Sequence, residues 1–215
     1  MALQIKQQGE NFILYTNGYI KILNCRVSFP HLAEKSIPKE GKPFYGITGM
    51  MPKGEAHEAA KDILIDQIKA ALAEKNITAG HKNWFFYDAD KRNAQNIEDG
   101  EDEVRPEYLG HYIFSARDTK IRPKVYNQRG QLVQDKDEVE ELVYGGCYCH
   151  ILLAPWAYNN TDVKKKGVSA TLIGVQFVQN GEPFGAARVD DSDAWGDESS
   201  GNAGGSASNT ADEDF

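Results

Sequence analysis

The stretch Tyr19-Ile20-Lys21-Ile22-Leu23-Asn24-Cys25-Arg26-Val27-Ser28-Phe29 alternates along its length. Leu23, Cys25, Val27 and Phe29 fall on one face and Asn24, Arg26 and Ser28 on the other, the pattern of a half-buried strand. Pro30 is expected to end it. Further strands are expected from Phe44 to Met50, Tyr112 to Arg117, Arg122 to Tyr126, Cys147 to Ala154 and Gly167 to Gln179, with turn or loop chemistry in Asn127 to Gly130 and Tyr158 to Gly167. One long helix stands among them. From Glu55 to Asn76, Ala60, Leu64, Ile68 and Leu72 recur every four residues, with Glu55 and Glu58 at the start and Lys69 and Lys75 toward the end, matching the helix dipole. The polar, acid-rich residues from Asp88 to Glu107 are expected to form a long surface loop. About six strands and one or two helices predict a mainly β fold, an antiparallel barrel or sandwich carrying a helix.

The chain has 215 residues, of which 40% are hydrophobic, and this suits one core. No apolar run is long enough to span a bilayer, and Met1 to Glu10 lacks the basic-then-apolar pattern of a signal peptide. A cytoplasmic protein without membrane contact is expected. Cys25, Cys147 and Cys149 are too few for a disulfide framework and fit a reducing compartment.

Charge divides the sequence more sharply than hydropathy does. From Asp190 to Phe215 there are eight acidic residues and no Lys or Arg, so the first 189 residues balance 24 basic against 24 acidic side chains. The neutral part, residues 1 to 189, is expected to form the domain, and 190 to 215, rich in Gly, Ser, Asn and acids, a disordered acidic tail. Composition alone also allows a plain solubilising appendage. Asp212, Glu213, Asp214 and Phe215, however, combine charge with an apolar anchor that suits a basic, apolar-lined pocket on a partner.

Common enzyme signatures are missing: there is no GxxxxGK[ST], GxGxxG after a strand, HExxH or GxSxG. The nearest metal candidate is Cys147-Tyr148-Cys149-His150. On a strand its two thiols share a face that His150 does not, so core thiols are the expected reading. No catalytic residue, metal or cofactor is expected.

The segment that rises above this background runs from Arg117 to Arg129. It holds Arg117, Lys120, Arg122, Lys124 and Arg129 against the single acid Asp118, with Tyr112, Phe114 and Tyr126 beside it. Lys164, Lys165 and Lys166 form a second basic patch, after Trp156 and Tyr158. Basic groups that neutralise phosphates, interleaved with aromatic platforms for unstacked bases, suit single-stranded nucleic acid. Tyr112, Tyr126, Trp156 and Tyr158 are the stacking candidates, while Phe85 and Phe114 are expected in the core. An edge strand guarded by Lys and Arg is the competing account of the same charges. Because the domain is neutral, binding must use a local groove, and the acidic tail could compete for it as a tethered ligand.

Several stretches resemble a family of tailed-bacteriophage single-stranded DNA-binding proteins: Lys124 to Tyr126, Leu142 to Tyr148, Lys166 to Gln176 and Gly181 to Gly185. The resemblance spans about Tyr19 to Gly185. It implies an oligonucleotide/oligosaccharide-binding fold, a Greek-key β-barrel with an added helix, and protection of single strands in phage DNA replication and recombination inside the infected host. It also implies an acidic tail, similar to Asp212-Glu213-Asp214-Phe215, that contacts replication proteins. The reading from another class is an acidic DNA mimic or protein-interaction module aimed at a basic host protein. A metal-dependent nuclease is the third. Self-association stays open.

Overall fold

In the computed structural model, residues 3–161 and 165–185 are described. Ten strands and three α-helices follow one another as β1 (Ile5–Gln8), β2 (Phe12–Tyr15), β3 (Ile20–Ser36), β4 (Phe44–Pro52), α1 (Glu55–Glu74), β5 (Phe86–Asp88), α2 (Ala89–Asp99), β6 (His111–Asp118), β7 (Lys124–Tyr126), β8 (Leu132–Val133), α3 (Lys136–Leu142), β9 (Tyr148–Asn160) and β10 (Lys165–Gln179). The fold is mostly β, as the alternation predicts. One sheet holds all ten strands in the order β5-β6-β4-β3-β9-β10-β7-β8, with β1 and β2 added beside β3. The hydrogen-bonded ladder of the sheet does not close all the way round. Instead a single parallel bridge joins Trp84 to Val168, where the Phe85 N–H donates to the Val168 carbonyl at 2.9 Å. The Phe85 carbonyl accepts from the Ser115 N–H at 2.9 Å, so one short segment ties β10 to β6.

Strand β3 explains how one sheet curls so far. Its pairing with β9 slips between Ile22 and Cys25, and its pairing with β4 slips between Ser28 and His31. At these slips Asn24 and Phe29 take positive φ, 51° and 47°. Bulges of this kind bend a strand and reverse the face of every later side chain. Ile20 and Ile22 are therefore buried before the first bulge, and Cys25 and Val27 after it. This corrects three expectations. Leu23, before the first bulge, lies on the face opposite Ile20 and Ile22 and is only half-buried. Phe29 does not share the core face of Cys25 and Val27 but stands 44% exposed, and the strand runs past Pro30 to Ser36.

Helix α1 follows its sequence pattern. It buries Ala60, Ile63, Leu64, Ile68, Ala71 and Leu72 against β2, β9 and β10, each full Ile or Leu contributing about 2 kcal/mol. Its entry is pinned where Asn11 Nδ2 donates to the Ala56 carbonyl at 2.7 Å. The expected loop from Asp88 to Glu107 instead contains α2, and α3 is a further helix beyond the one or two predicted. Helix α2 has no apolar stripe to reveal it: only Ala89 is buried and Ile97 is exposed. Its caps hold it. The Asp88 carboxylate accepts from the Asp90 and Lys91 N–H groups, and Gly100 closes the far end with φ 66°. Asp135 caps α3 in the same way through the Glu138 N–H.

The expected loop from Tyr158 to Gly167 is mostly strand. Asn160 and Asn159 pair with Lys165 and Lys166 at the tip of the β9–β10 hairpin. Polar side chains on both faces there hide the alternation that would have betrayed it. The three cysteines are buried and free, with Cys147 and Cys149 Sγ atoms 3.8 Å apart. Among the described residues no cluster of three or more His, Cys, Asp or Glu could hold a metal, and no helix is long and apolar enough to cross a membrane.

Candidate nucleic-acid interface

The outward faces of β4 and β6 form the floor of a groove. Arg117 lies opposite Gly46 and Ser115 opposite Thr48, whose hydroxyl oxygens are 3.3 Å apart. Phe44 supports the charge, with the Arg117 guanidinium 5.8 Å from its ring centre. One wall is the segment leading into β5. Trp84 stacks on His81 at 4.0 Å and donates its indole N–H to the Ala79 carbonyl at 3.3 Å, while Arg92 of α2 sits 4.6 Å over the Tyr87 ring. The other wall is the β9–β10 hairpin, with Tyr158, Lys165 and Ser169. Gly167 makes the corner possible. A Cβ there would lie 2.3 Å from the Asn83 carbonyl oxygen and 2.7 Å from the Tyr158 hydroxyl, so only glycine lets the His81–Trp84 segment approach β10 this closely.

The groove encloses about 710 Å³ and is lined by Lys82, Arg92, Arg117 and Lys165 without any Asp or Glu among the described residues. Lys82 is partly committed to acids outside the groove, 2.6 Å from Asp99 and 3.7 Å from Glu101. Such a surface can do two things. Its cations neutralise phosphates in a setting where local charge, not the neutral whole, sets the field, and its rings offer faces to bases.

Of the residues picked from sequence, the groove gathers Arg117, Tyr158 and Lys165. Trp156 faces the same way, paired with groove-lining Ser169, 46% exposed and 5.9 Å from the Tyr158 ring. The others lie elsewhere. Arg122 serves the fold: its Nε donates to the Leu32 carbonyl and its Nη1 to the Gln134 carbonyl, both at 3.0 Å. Lys120 and Lys124 are exposed outside the groove, and Tyr126 is half-buried on β7 beside Gly174 to Gln176 of β10. Tyr112 donates its hydroxyl to Glu58 at 2.7 Å and lines a neighbouring depression of about 430 Å³ between α1 and α2, which shares Lys82, Trp84, Tyr87 and Arg92 with the groove. Lys166 is exposed opposite Asn159. Lys164, and the tail residues Asp212, Glu213, Asp214 and Phe215, lie outside the described residues.

Within the Cys147 to His150 stretch the two thiols are core, while Tyr148 and His150 are half-buried on the other face. His150 accepts the Asn24 N–H at Nδ1, 3.1 Å away, and burial followed by the charge of Lys21 lowers its pKa to about 4. A neutral imidazole used as a backbone acceptor is structural.

Sequence reasoning missed Phe29, Phe44, Lys82, Trp84, Tyr87 and Arg92. A signal existed in the run Trp84-Phe85-Phe86-Tyr87. Its middle pair is buried and its outer pair lines the groove, with a basic residue on either flank at Lys82 and Arg92. The surrounding acids concealed those two cations from a charge count.

A family described as Enterobacter phage Enc34, ssDNA-binding protein, matches residues 19–203. The chain belongs to this family. Among its relatives is protein p50 of Acyrthosiphon pisum secondary endosymbiont phage 1, 30% identical over 186 residues that cover 81% of this chain and 92% of that one. The solved single-stranded DNA-binding protein from bacteriophage Enc34 is 32% identical, with a TM-score of 0.74 and coverage of 90% and 99% of the two chains. A second structure of the Enc34 protein, in complex with ssDNA, is 31% identical with a TM-score of 0.75, covering 85% and 98%. A bacteriophage T7 protein, gp2.5, shares the fold at a TM-score of 0.52 and 17% identity, over 87% of this chain and 98% of its own.

Proposed function

We propose that the protein binds single-stranded DNA without sequence preference and shields exposed strands during phage DNA replication and recombination in the host cytoplasm. The observation that carries this reading is the acid-free groove, in which Arg117, Arg92 and Lys165 stand among Phe44, Trp84, Tyr87 and Tyr158. Its cations meet phosphates and its rings meet bases, contacts that every sequence offers equally. Membership in the Enc34 family and the ssDNA complex of the Enc34 protein support it. Binding of this kind breaks no bond and calls for no cofactor.

In the same reading, residues 1–189 bind DNA and 190–215 form an acidic tail. Asp212, Glu213, Asp214 and Phe215 recruit replication proteins, and the eight tail acids compete with DNA for the groove. Charge segregation between the two parts supports this. The test is fluorescence anisotropy of a labelled poly-dT oligonucleotide with the full chain and with a version ending at Val189, across salt, against duplex competitor. Binding that prefers single strands, weakens with salt and tightens on truncation is expected. No binding by either version would overturn the reading, and binding unchanged by truncation would remove the competing tail.

A further inference from the structure

Among the described residues, Phe29 is the one aromatic whose backbone and side chain disagree about where it belongs. Its φ of 47° lies in the left-handed region, where a bulky side chain crowds its own backbone and where Asn or Gly would sit at ease. Core packing does not offset this strain, because the side chain is 44% exposed. The Arg105 guanidinium instead lies 4.3 Å over the ring centre. Strained, exposed residues of this kind cluster at ligand contacts.

The position of the ring gives the strain a use. Phe29 lines the groove on one side and, with Arg105, a second cleft of about 800 Å³ on the other. That cleft is lined by Pro30, Pro106, Pro183 and Phe184, flat apolar surfaces suited to a base, and also by Glu182 and by Glu107, whose carboxylate lies 3.7 Å from the Arg105 guanidinium and would yield it to a phosphate. Arg26 holds the far side in place, with its guanidinium 4.3 Å over the Phe184 ring and its Nη2 donating to the Glu182 carbonyl at 2.8 Å. The bulge at Phe29 thus raises an aromatic ridge between two concave surfaces.

We propose that a single strand bound in the groove continues over this ridge into the second cleft, with one base stacked on Phe29 and the Arg105 guanidinium meeting an adjacent phosphate. The inference rests on the groove being the DNA site, and it adds a second subsite and its gatepost.

The experiment compares the full chain with its Phe29→Tyr, Phe29→Leu and Phe29→Asn variants, measuring both affinity for labelled dT oligonucleotides of increasing length and melting temperature. Phe29→Tyr keeps a stacking face and is expected to bind within about two-fold of the wild type. Phe29→Leu and Phe29→Asn are expected to weaken binding to the longer oligonucleotides about 5- to 100-fold. Phe29→Asn is expected to melt no lower than the wild type, because Asn tolerates the left-handed backbone. Replacing Arg105 with Gln should make the salt slope about 0.7 less negative, one phosphate's share on a single strand. If Phe29→Leu binds the long oligonucleotides as tightly as the wild type, the ridge is wrong and the groove stands. If the wild type binds no oligonucleotide, the groove reading falls and the ridge falls with it.

Discussion

Two regions of this molecule share a basic composition and differ in shape. The groove presents Arg117, Arg92 and Lys165 in a concave surface with Phe29, Phe44, Trp84, Tyr87 and Tyr158 among them. The segment from Asp118 to Arg129 carries as much positive charge on turns and a short strand outside the groove. There Asp118 accepts the Lys120 and Ile121 N–H groups to fold a tight turn, Lys35 donates to the Thr119 carbonyl, and Lys124 and Arg129 are exposed. None of Lys120, Lys124 or Arg129 lines the groove or the cleft behind Phe29. The lesson is that charge clustering along a chain marks where cations are, whereas a strand of nucleic acid responds to where concavity and rings coincide with them. Isolated exposed charges contribute little at ordinary salt.

The contrast can be attacked directly, beginning with the residue that sits in the basic segment but serves the fold. Arg122→Ala removes two charged hydrogen bonds and strands the Leu32 and Gln134 carbonyls, so a loss of about 3 kcal/mol is expected in chemical denaturation. Affinity of the folded fraction for poly-dT should not change. Gly167→Ala forces a Cβ against the Asn83 carbonyl and should cost about 1–3 kcal/mol in stability. It should also weaken DNA binding, because it pushes the Trp84 wall away from β10. Phe44→Ala removes a platform under Arg117 and is expected to cost about 1–3 kcal/mol of binding in a titration, with stability less affected. Lys120→Ala and Lys124→Ala come last: each should shift affinity by under about 0.5 kcal/mol. A larger effect from these two would move the strand onto the β7 edge and dissolve the contrast.

Much of the fold was legible in the sequence because burial leaves a period. The stripe of α1 and the alternations of β4, β6, β9 and β10 are direct records of one face meeting a core. Helix α2 left no such record, since its stability comes from Asp88 and Gly100 at its ends rather than from a buried face. The bulges at Asn24 and Phe29 were hidden for another reason. Each inserts a change of face into a run that still reads as regular alternation, and only the pairing with β4 and β9 exposes the slip. The groove was half legible. Arg117, Tyr158 and Lys165 stood in basic or aromatic surroundings, but Lys82 and Arg92 lay among acids that do not line the groove, although Asp99 still pairs with Lys82. Arg122 misled for the complementary reason: a guanidinium reads as a phosphate ligand until its Nε and Nη1 donors are seen to be used by carbonyls.

The most direct test sets the two basic regions against each other in one assay. The double variants Arg117→Ala with Phe44→Ala, and Lys120→Ala with Lys124→Ala, are titrated against labelled poly-dT from low to moderate salt beside the wild type. The groove pair should lose at least about ten-fold in affinity and show a shallower salt slope, while the edge pair stays within about two-fold of the wild type. An edge pair that loses more than the groove pair would contradict the account.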